Sequence, residues 1–407
     1  MKLIKYTYKF RINPTKIQIE LLDKHFGSVR WVYNYFLNQR KEEYLANKKS
    51  INYYQQSKEL TQLKKNEKTS WLKEINSQTL QFSINCLESA YEGFFSGRSK
   101  FPNFKSKRSR NSFTVPQFTK VKNGKLIIPK FQEGIEMIME RKVEGTIKKT
   151  TISRTPTGKY YVSILTEREY NPVPTTGQKV GIDLGLKDFL VLSTGSKIKN
   201  GRFLKHLEHQ LKLNQKSLSR KTKNSKRRER QRLKVARIHE KITNSRLDLI
   251  HKTSLDLVKN FDVIYLEDLN IKGMVKNHKL AKSISDSSWG KFIEVLTYKA
   301  NWNNKEVIHI DRFFPSSKTC NSCGWINNSL TLNERSWKCK CGKEVDRDLN
   351  AAKNILNEGL RCKDISVGTT DHGRGAQIRP EKSGKSVETS KKKIPSGSET
   401  QRSLVVV

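Results

Sequence analysis

Four cysteines stand in two short groups, Cys320 and Cys323 in "CNSCG" and Cys339 and Cys341 in "CKCG". The second group runs directly into "KEVDRDLNAAKNI", which carries Asp346 and Asp348. Thiolates suit zinc, whereas carboxylates suit magnesium or the start of a helix, so this stretch reads as the meeting point of two sites of different hardness. Four sulfurs on two glycine-turned knuckles match one closed, tetrahedral, structural zinc ion. The CxC spacing of the second knuckle makes it tighter than the CxxC of the first. With four of the six cysteines in this one window, the pattern argues against a disulfide framework and for a reducing compartment. Cys86 and Cys362 read as a core cysteine and a tail cysteine.

Oxygen ligands to accompany the aspartates must come from elsewhere in the chain. Asp183 sits mid-strand in "VGIDLG", where a carboxylate among apolar neighbours is costly without a positive partner. Glu267 ends the apolar run "VIYLE" in the same way. A lone strand-end carboxylate is ordinarily a turn or salt-bridge residue. Two of them together with the Asp346/Asp348 pair read differently in a chain of 407 residues with 80 Lys and Arg against 39 Asp and Glu, a formal net charge of +41. Such an excess repels itself unless it lies beside a polyanion, so nucleic acid is the expected partner. Three carboxylates hold two Mg²⁺ about 3.5–4 Å apart, one activating water and the other steadying the leaving 3′ oxygen of a phosphodiester. The chemistry implied is that of a hydrolytic nuclease.

The elements that must position these residues follow from periodicity. Ile4, Tyr6, Tyr8, Phe10 and Ile12 alternate with Lys5, Lys9 and Arg11, a half-buried strand that "NPT" ends at Asn13. Helical periodicity runs from Thr15 to about Lys65 and again from Ser77 through Leu80, Ile84, Leu87, Tyr91 and Phe94. After the basic link "GRSKFPNFKSKRSRN", short strands return in "SFTV", "KLIIP", "GTIKKTTISRT" and "KYYVSILTE", which suggests a barrel with a helical insert. A new domain starts near Lys179 with two strands in "KVGIDLGLKDFLVLSTG". A long basic helical stretch, the buried-type strand "FDVIYLEDLN", a helix in "SWGKFIEVLTYKANWNN" and the strand "EVIHI" follow, an α/β order. The single-signed charge between Lys212 and Lys241 is expected to contact phosphates through Arg227, Arg228, Arg230 and Arg232. Beyond Gly359 periodicity is lost and a disordered tail is expected. No apolar run reaches membrane length, and Met1 leads into a strand rather than a signal peptide, so a cytosolic location, among prokaryotic nucleoid DNA, is expected.

"GIDLG", "YLEDLNI" and "DRDLNAAKNI", with the cysteine knuckles between the second and third, resemble the three RuvC motifs of the TnpB family, insertion-sequence proteins ancestral to type V CRISPR nucleases. "FRINPTKIQ", "WVYN", "FPNFKSK", "KITNSRLDLIHK" and "FFPSSKTCNSCG" extend the resemblance over nearly everything except the tail. The resemblance implies a multidomain α+β protein: an RNase H-like (RuvC) α/β nuclease domain at 173–311 and 342–360, with a zinc ribbon at 312–341 inserted in it. A wedge-type β-barrel at 1–14 and 111–172 would carry a helical recognition lobe at 15–110, and 361–407 would be the tail. It assigns Asp183 and Glu267 to the first two motif acids. An acid followed two residues later by Asn selects Asp348, with Asn350, as the third, leaving Asp346 to start the helix.

The function so implied is RNA-guided cutting of double-stranded DNA beside a short transposon-adjacent motif, by a monomer carrying a guide RNA from the transposon end. A catalytically silent RNA-guided repressor on the same scaffold is the second reading, and a transposase that joins strands itself is the third. The intact acid triad favours the first.

Overall fold

A computed structural model of the protein describes residues 1–107, 111–331 and 334–368, with side chains up to residue 363. They form two compact units, one made of residues 1–170 with 213–240, the other of 171–212 with 241 onward.

In the first unit, β1 (Lys2–Asn13) pairs antiparallel with β7 (Tyr160–Tyr170) along its whole length, Lys2 opposite Tyr170 and Ile12 opposite Tyr160. Thr15 then switches the chain to helix: its hydroxyl accepts the Gln18 N–H at 3.3 Å, and the Gln18 side chain accepts the Thr15 N–H at 3.1 Å. The helix so started, α1 (Lys16–Asn47), is followed by α2 (Tyr53–Lys65), a 3₁₀ helix at Glu67–Glu74 and α3 (Ser77–Phe95). Leu22, Phe26, Val32, Phe36 and Leu37 of α1 and Leu80, Ile84 and Leu87 of α3 share one core with Tyr8, Phe10 and Ile12 of the sheet. The remaining strands are β2 (Asn111–Val115), β3 (Lys120–Lys122), β4 (Lys125–Ile128), β5 (Phe131–Ile138) and β6 (Thr146–Arg154). The antiparallel order is β2-β6-β7-β1-β5-β4-β3. Strand β5 escapes the alternation rule. Gly134 at φ +75 puts a left-handed residue mid-strand, and two exposed residues before it are followed by two buried ones.

In the second unit, β8 (Lys179–Asp183), β9 (Asp188–Leu192) and β10 (Lys197–Lys199) form an antiparallel meander. Helices α4 (Phe203–Ser219) and α5 (Lys226–Asn260) follow as a hairpin whose tip belongs to the first unit. Strand β11 (Val263–Glu267) then joins parallel to β8. After α6 (Ile271–Met274), α7 (Ala281–Ser287) and α8 (Trp289–Trp302), strand β12 (Glu306–Ile310) joins parallel to β11. The order is β10-β9-β8-β11-β12. Phe292 of α8 meets Phe189 of β9 edge-on at 5.1 Å, sealing part of the core.

The chain closes with the hairpin β13 (Ser336–Lys338) and β14 (Glu344–Asp346), then α9 (Arg347–Gly368). Strand pairing carries the ribbon to Asp346, beyond the expected limit at 341. The tail expected from residue 361 is corrected in part: α9 runs to Gly368. Leu360 packs against the Tyr265 and Ile355 cluster, and Lys363 pairs with Glu306 at 2.6 Å, so the helix keeps a docking face past Gly359. Residues 369–407 lie outside the described residues.

Candidate functional site

Parallel pairing sets Leu266 of β11 opposite Ile182 of β8, so Asp183 and Glu267, the next residue on each strand, leave the sheet side by side. Asp262 pins that register. Its N–H donates to the Gln178 carbonyl at 2.8 Å, and its carboxylate accepts the N–H groups of Thr176 and Gly177. The hydrogen-bonded Lys305 ammonium and these amides hold the Asp262 carboxyl at about 2.

The third acid arrives on α9. A Cβ at Gly181 of β8 would overlap the Ala352 carbonyl and the Leu356 N–H, so only glycine lets this helix lie so close to the strand. Gly359 does the same from the helix side, under the Tyr265 ring. Asp348, in the first turn of α9, is thereby brought near Asp183. Burial pushes the Asp183 carboxyl up to about 7, and the charges of Glu267 and Asp348 push in the same direction against Arg347 and Arg335. Burial also raises Glu267, opposed by the Ser316 hydroxyl, which donates to its Oε1. Asp348 Oδ1 accepts from Arg335 Nη1 at 3.4 Å.

Asp346 faces another task. Its Oδ1 accepts the N–H groups of Asp348 at 3.1 Å and Leu349 at 3.0 Å, and its Oδ2 accepts from Lys197 at 2.6 Å, which makes it the cap of α9. Geometry thus separates two aspartates that stand two residues apart. Ser316, Arg335 and Lys197 carry no sequence signal of their own, because each acquires its partner from a distant segment.

The four sulfurs of Cys320, Cys323, Cys339 and Cys341 lie within 4.8 Å of one another, the one such group of three or more His, Cys, Asp or Glu residues among the described residues. Cys320 and Cys341 are 3.9 Å apart and Cys323 and Cys339 3.5 Å. Bonds of 2.3 Å to a central ion in a tetrahedron place sulfurs about 3.8 Å apart, so the donor set fits zinc. Gly324 and Gly342, at φ +76 and +87, turn the knuckles, and each N–H closes its turn on the carbonyl of the first cysteine at 2.9 Å. Burial opposes ionisation of Cys320, yet N–H groups of Ser322 and Cys323 aimed at its sulfur bring the thiol to about 7.

Knuckle and helix are clasped together. Asn350 and Asn354, one turn apart on α9 and both buried, each donate to the Thr319 carbonyl at 2.6 Å. Asn350 Oδ1 accepts the Asn321 N–H at 2.9 Å, and Asn354 also donates to the Ser316 carbonyl at 2.7 Å. The asparagine that marks the third motif therefore ties the first sulfur loop to the helix carrying Asp348. Sequence reasoning missed Asn354, whose one signal is a second Asn at helical spacing from Asn350.

The four residues expected to contact phosphates, Arg227, Arg228, Arg230 and Arg232, are not equivalent in their surroundings. Arg228 donates to the carbonyls of Leu218 at 2.8 Å and Lys221 at 3.1 Å, tying off the end of α4. Arg232 pairs with Glu229 and donates to the Pro156 carbonyl at 3.2 Å. Arg227 and Arg230 are exposed and have no hydrogen-bond or ion-pair partner among the described residues.

Comparison with known proteins matches residues 161–278 to a family model described as "Probable transposase" (OrfB_IS605) and residues 289–355 to "Cas12f1-like, TNB domain". Residues 1–49 match a model described as "Helix-turn-helix domain", although the structure there is one strand and one long helix. A "Putative RNA-guided DNA endonuclease" of Streptomyces pristinaespiralis is 40% identical over 373 residues, 90% of this chain and 92% of that one. "Putative RNA-guided DNA endonuclease InsQ" of Escherichia coli (strain K12) is 32% identical over 380 residues, 88% and 94% of the two chains. A solved chain of the "Cas12f1-sgRNA-target DNA complex" shares the fold at TM-score 0.54 and 15% identity, over 87% of this chain and 99% of that one. No helix among the described residues is long and apolar enough to cross a membrane.

Proposed function

The chain belongs to the TnpB family, and from that premise we propose that it is an RNA-guided DNA endonuclease of an insertion sequence. The observation that supports the catalytic assignment is the convergence of three acids: parallel pairing sets Asp183 beside Glu267, the close approach of α9 at Gly181 brings Asp348 to them, and burial with these like charges raises the Asp183 carboxyl. In this reading the five-stranded sheet with α9 is an RNase H-like domain, with the cysteine ribbon inserted between β12 and α9. The seven-stranded sheet is the wedge-type barrel, and α1 to α3 are its recognition lobe.

Asp183, Glu267 and Asp348 would hold two Mg²⁺. When bound, these supply Lewis acidity toward the attacking water and the leaving 3′ oxygen. The chain's own residues set the stage. Ser316 orients Glu267 by donating to Oε1. Arg335 turns Asp348 and tempers the negative charge at Asp183. With its carboxyl raised to about 7, Asp183 is about half protonated near neutral pH, and a divalent cation would compete with that proton. Cys320, Cys323, Cys339 and Cys341 would hold one zinc ion with no open position, so its task is to shape the ribbon, and Asn350 and Asn354 pass that shape to α9. Guide RNA and double-stranded DNA are the partners, base pairing reads the sequence, and the protein acts as a monomer in the cytosol.

The test is to express the chain with its flanking element DNA, sequence the RNA that copurifies, and challenge the complex with plasmids. One discrete RNA species, with Mg²⁺-dependent cutting that follows a change in its variable end, is expected. Cutting that is indifferent to the RNA, or strand transfer in place of cutting, would overturn the reading.

A further inference from the structure

The larger of two neighbouring hollows in the first unit is a cleft of about 600 Å³ between α1 and the 3₁₀ helix Glu67–Glu74. Trp31 stacks on Tyr35 at 5.0 Å and 20°, and Trp71, 38% exposed, stands edge-on to Trp31 at 5.5 Å. Its polar groups are nearly all taken. Lys24 pairs with Glu74 at 2.6 Å across the rim, the Tyr35 hydroxyl donates to Glu59 at 3.0 Å, and the Asn34 side chain is bound to the backbone of Lys105. Arg30 is the exception. It lines this cleft and the neighbouring smaller one, and it has no hydrogen-bond or ion-pair partner among the described residues.

Gly27 adds an independent observation. It sits inside α1, where glycine weakens a helix relative to alanine. Packing does not require it, since a Cβ there would meet no protein atom within 4 Å. The missing methyl keeps the cleft wall open. An aromatic surface with a free guanidinium and no groups positioned to read base edges suits a stacked base with its phosphate, independent of sequence.

We propose that this cleft receives an unpaired base of the RNA, stacked on the exposed Trp71 indole, with Trp31 edge-on to that indole as the cleft wall and Arg30 on the adjacent phosphate. The inference rests on the RNA-guided reading above. In that reading the bases of the target strand are paired to the guide, whereas RNA outside the guide offers unstacked bases, the form in which proteins take hold of RNA. An apolar peptide would leave Arg30 unused.

The full chain, stripped of RNA, would be titrated with a labelled single-stranded oligoadenylate RNA and with its DNA counterpart at several salt concentrations. Trp71→Ala should weaken RNA binding about 5- to 100-fold with an unchanged salt slope, the range expected for loss of base–aromatic stacking. Trp71→Phe should restore most of it. Gly27→Ala should weaken binding while raising the Tm of the free protein by about 2 °C, a pair of opposite signs that misfolding does not produce. Trp71→Ala and Gly27→Ala both within twofold of wild type would overturn the cleft assignment and leave the nuclease reading standing. Losses confined to the DNA probe would overturn the choice of RNA. A wild-type chain that binds no RNA would remove the RNA-guided reading itself.

Discussion

The sulfur cluster takes its ligands from two turns, each shaped within a few residues by its own glycine, and the four atoms already lie within 4.8 Å of one another. The carboxylates come from two parallel strands and the first turn of a helix, and there burial and like charge raise Asp183 to about 7. One set is organised locally, by its own turns. The other is assembled by the whole unit, where burial and like charge act against ionisation of Asp183. The Asn350 and Asn354 clasp joins the two, so each should feel the loss of the other to a degree that can be measured.

The largest effect should come from the acids. Asp183→Ala, Glu267→Ala or Asp348→Ala should each lower plasmid cleavage by at least about a thousandfold, several kcal/mol of transition-state stabilisation, with RNA binding retained. Asp346→Ala is the internal control: losing a helix cap costs about 1 kcal/mol and should lower Tm more noticeably than cleavage. Asp346→Ala inactive with Asp348→Ala active would reverse the assignment of the third acid.

Next come the sulfurs. Cys323→Ser should reduce bound zinc from about one ion per chain to little, measured by elemental analysis, and lower both Tm and cleavage, because an incomplete tetrahedron no longer holds the knuckle. Asn354→Ala should keep the zinc and still lower cleavage about tenfold, the scale on which outer-shell partners act. Wild-type protein that is fully active without zinc would break the link between the two sites.

The Asp183 carboxyl predicts a pH dependence of defined sign. Its folded-state pKa is raised, so the folded chain binds a proton that the unfolded chain has released. In magnesium-free buffer this contribution to stability is present below about 4 and lost as pH rises to about 7. Proton and cation compete for the same oxygens. Mg²⁺ affinity, followed by the metal dependence of cleavage, should therefore increase up to tenfold per pH unit below about 7 and level off above it. Ser316→Ala removes the hydrogen bond that lowers Glu267 and should move the profile to higher pH. A profile flat from pH 5 to 8 would mean that neither carboxyl is raised in solution.

The smallest expected effect distinguishes residues within the basic hairpin. Arg227→Gln with Arg230→Gln should reduce the log–log salt slope of nucleic-acid binding by about 0.7–0.9 for each lost phosphate contact. Arg228→Gln should instead lower Tm and leave the slope alone, since Arg228 serves the carbonyls of Leu218 and Lys221. Equal slopes in the double variant and wild type would assign the exposed pair to solubility.

Much was legible in the chain itself, because some signals are written over short distances. Alternation in "KLIKYTYKFRI", the switch to helix at Thr15, the buried strands around Asp183 and Glu267, and the glycine after each cysteine pair all depend on neighbours a few residues away. Strand β5 was hidden because its glycine bulge changes which face is buried halfway along. The last turns of α9 were hidden because they are held by Tyr265 and Glu306, not by periodicity of their own. The same division holds at the site. Residue type and spacing determined which atoms were available: four sulfurs that suit a soft ion, and the carboxylates of Asp183, Glu267, Asp346 and Asp348. Tertiary structure decided which acid faces inward. Asp346 and Asp348 are chemically identical and two residues apart, and only the close approach of α9 at Gly181, with Lys197 paired to Asp346, directs one to the half-buried carboxylates of Asp183 and Glu267 and the other to its own helix end.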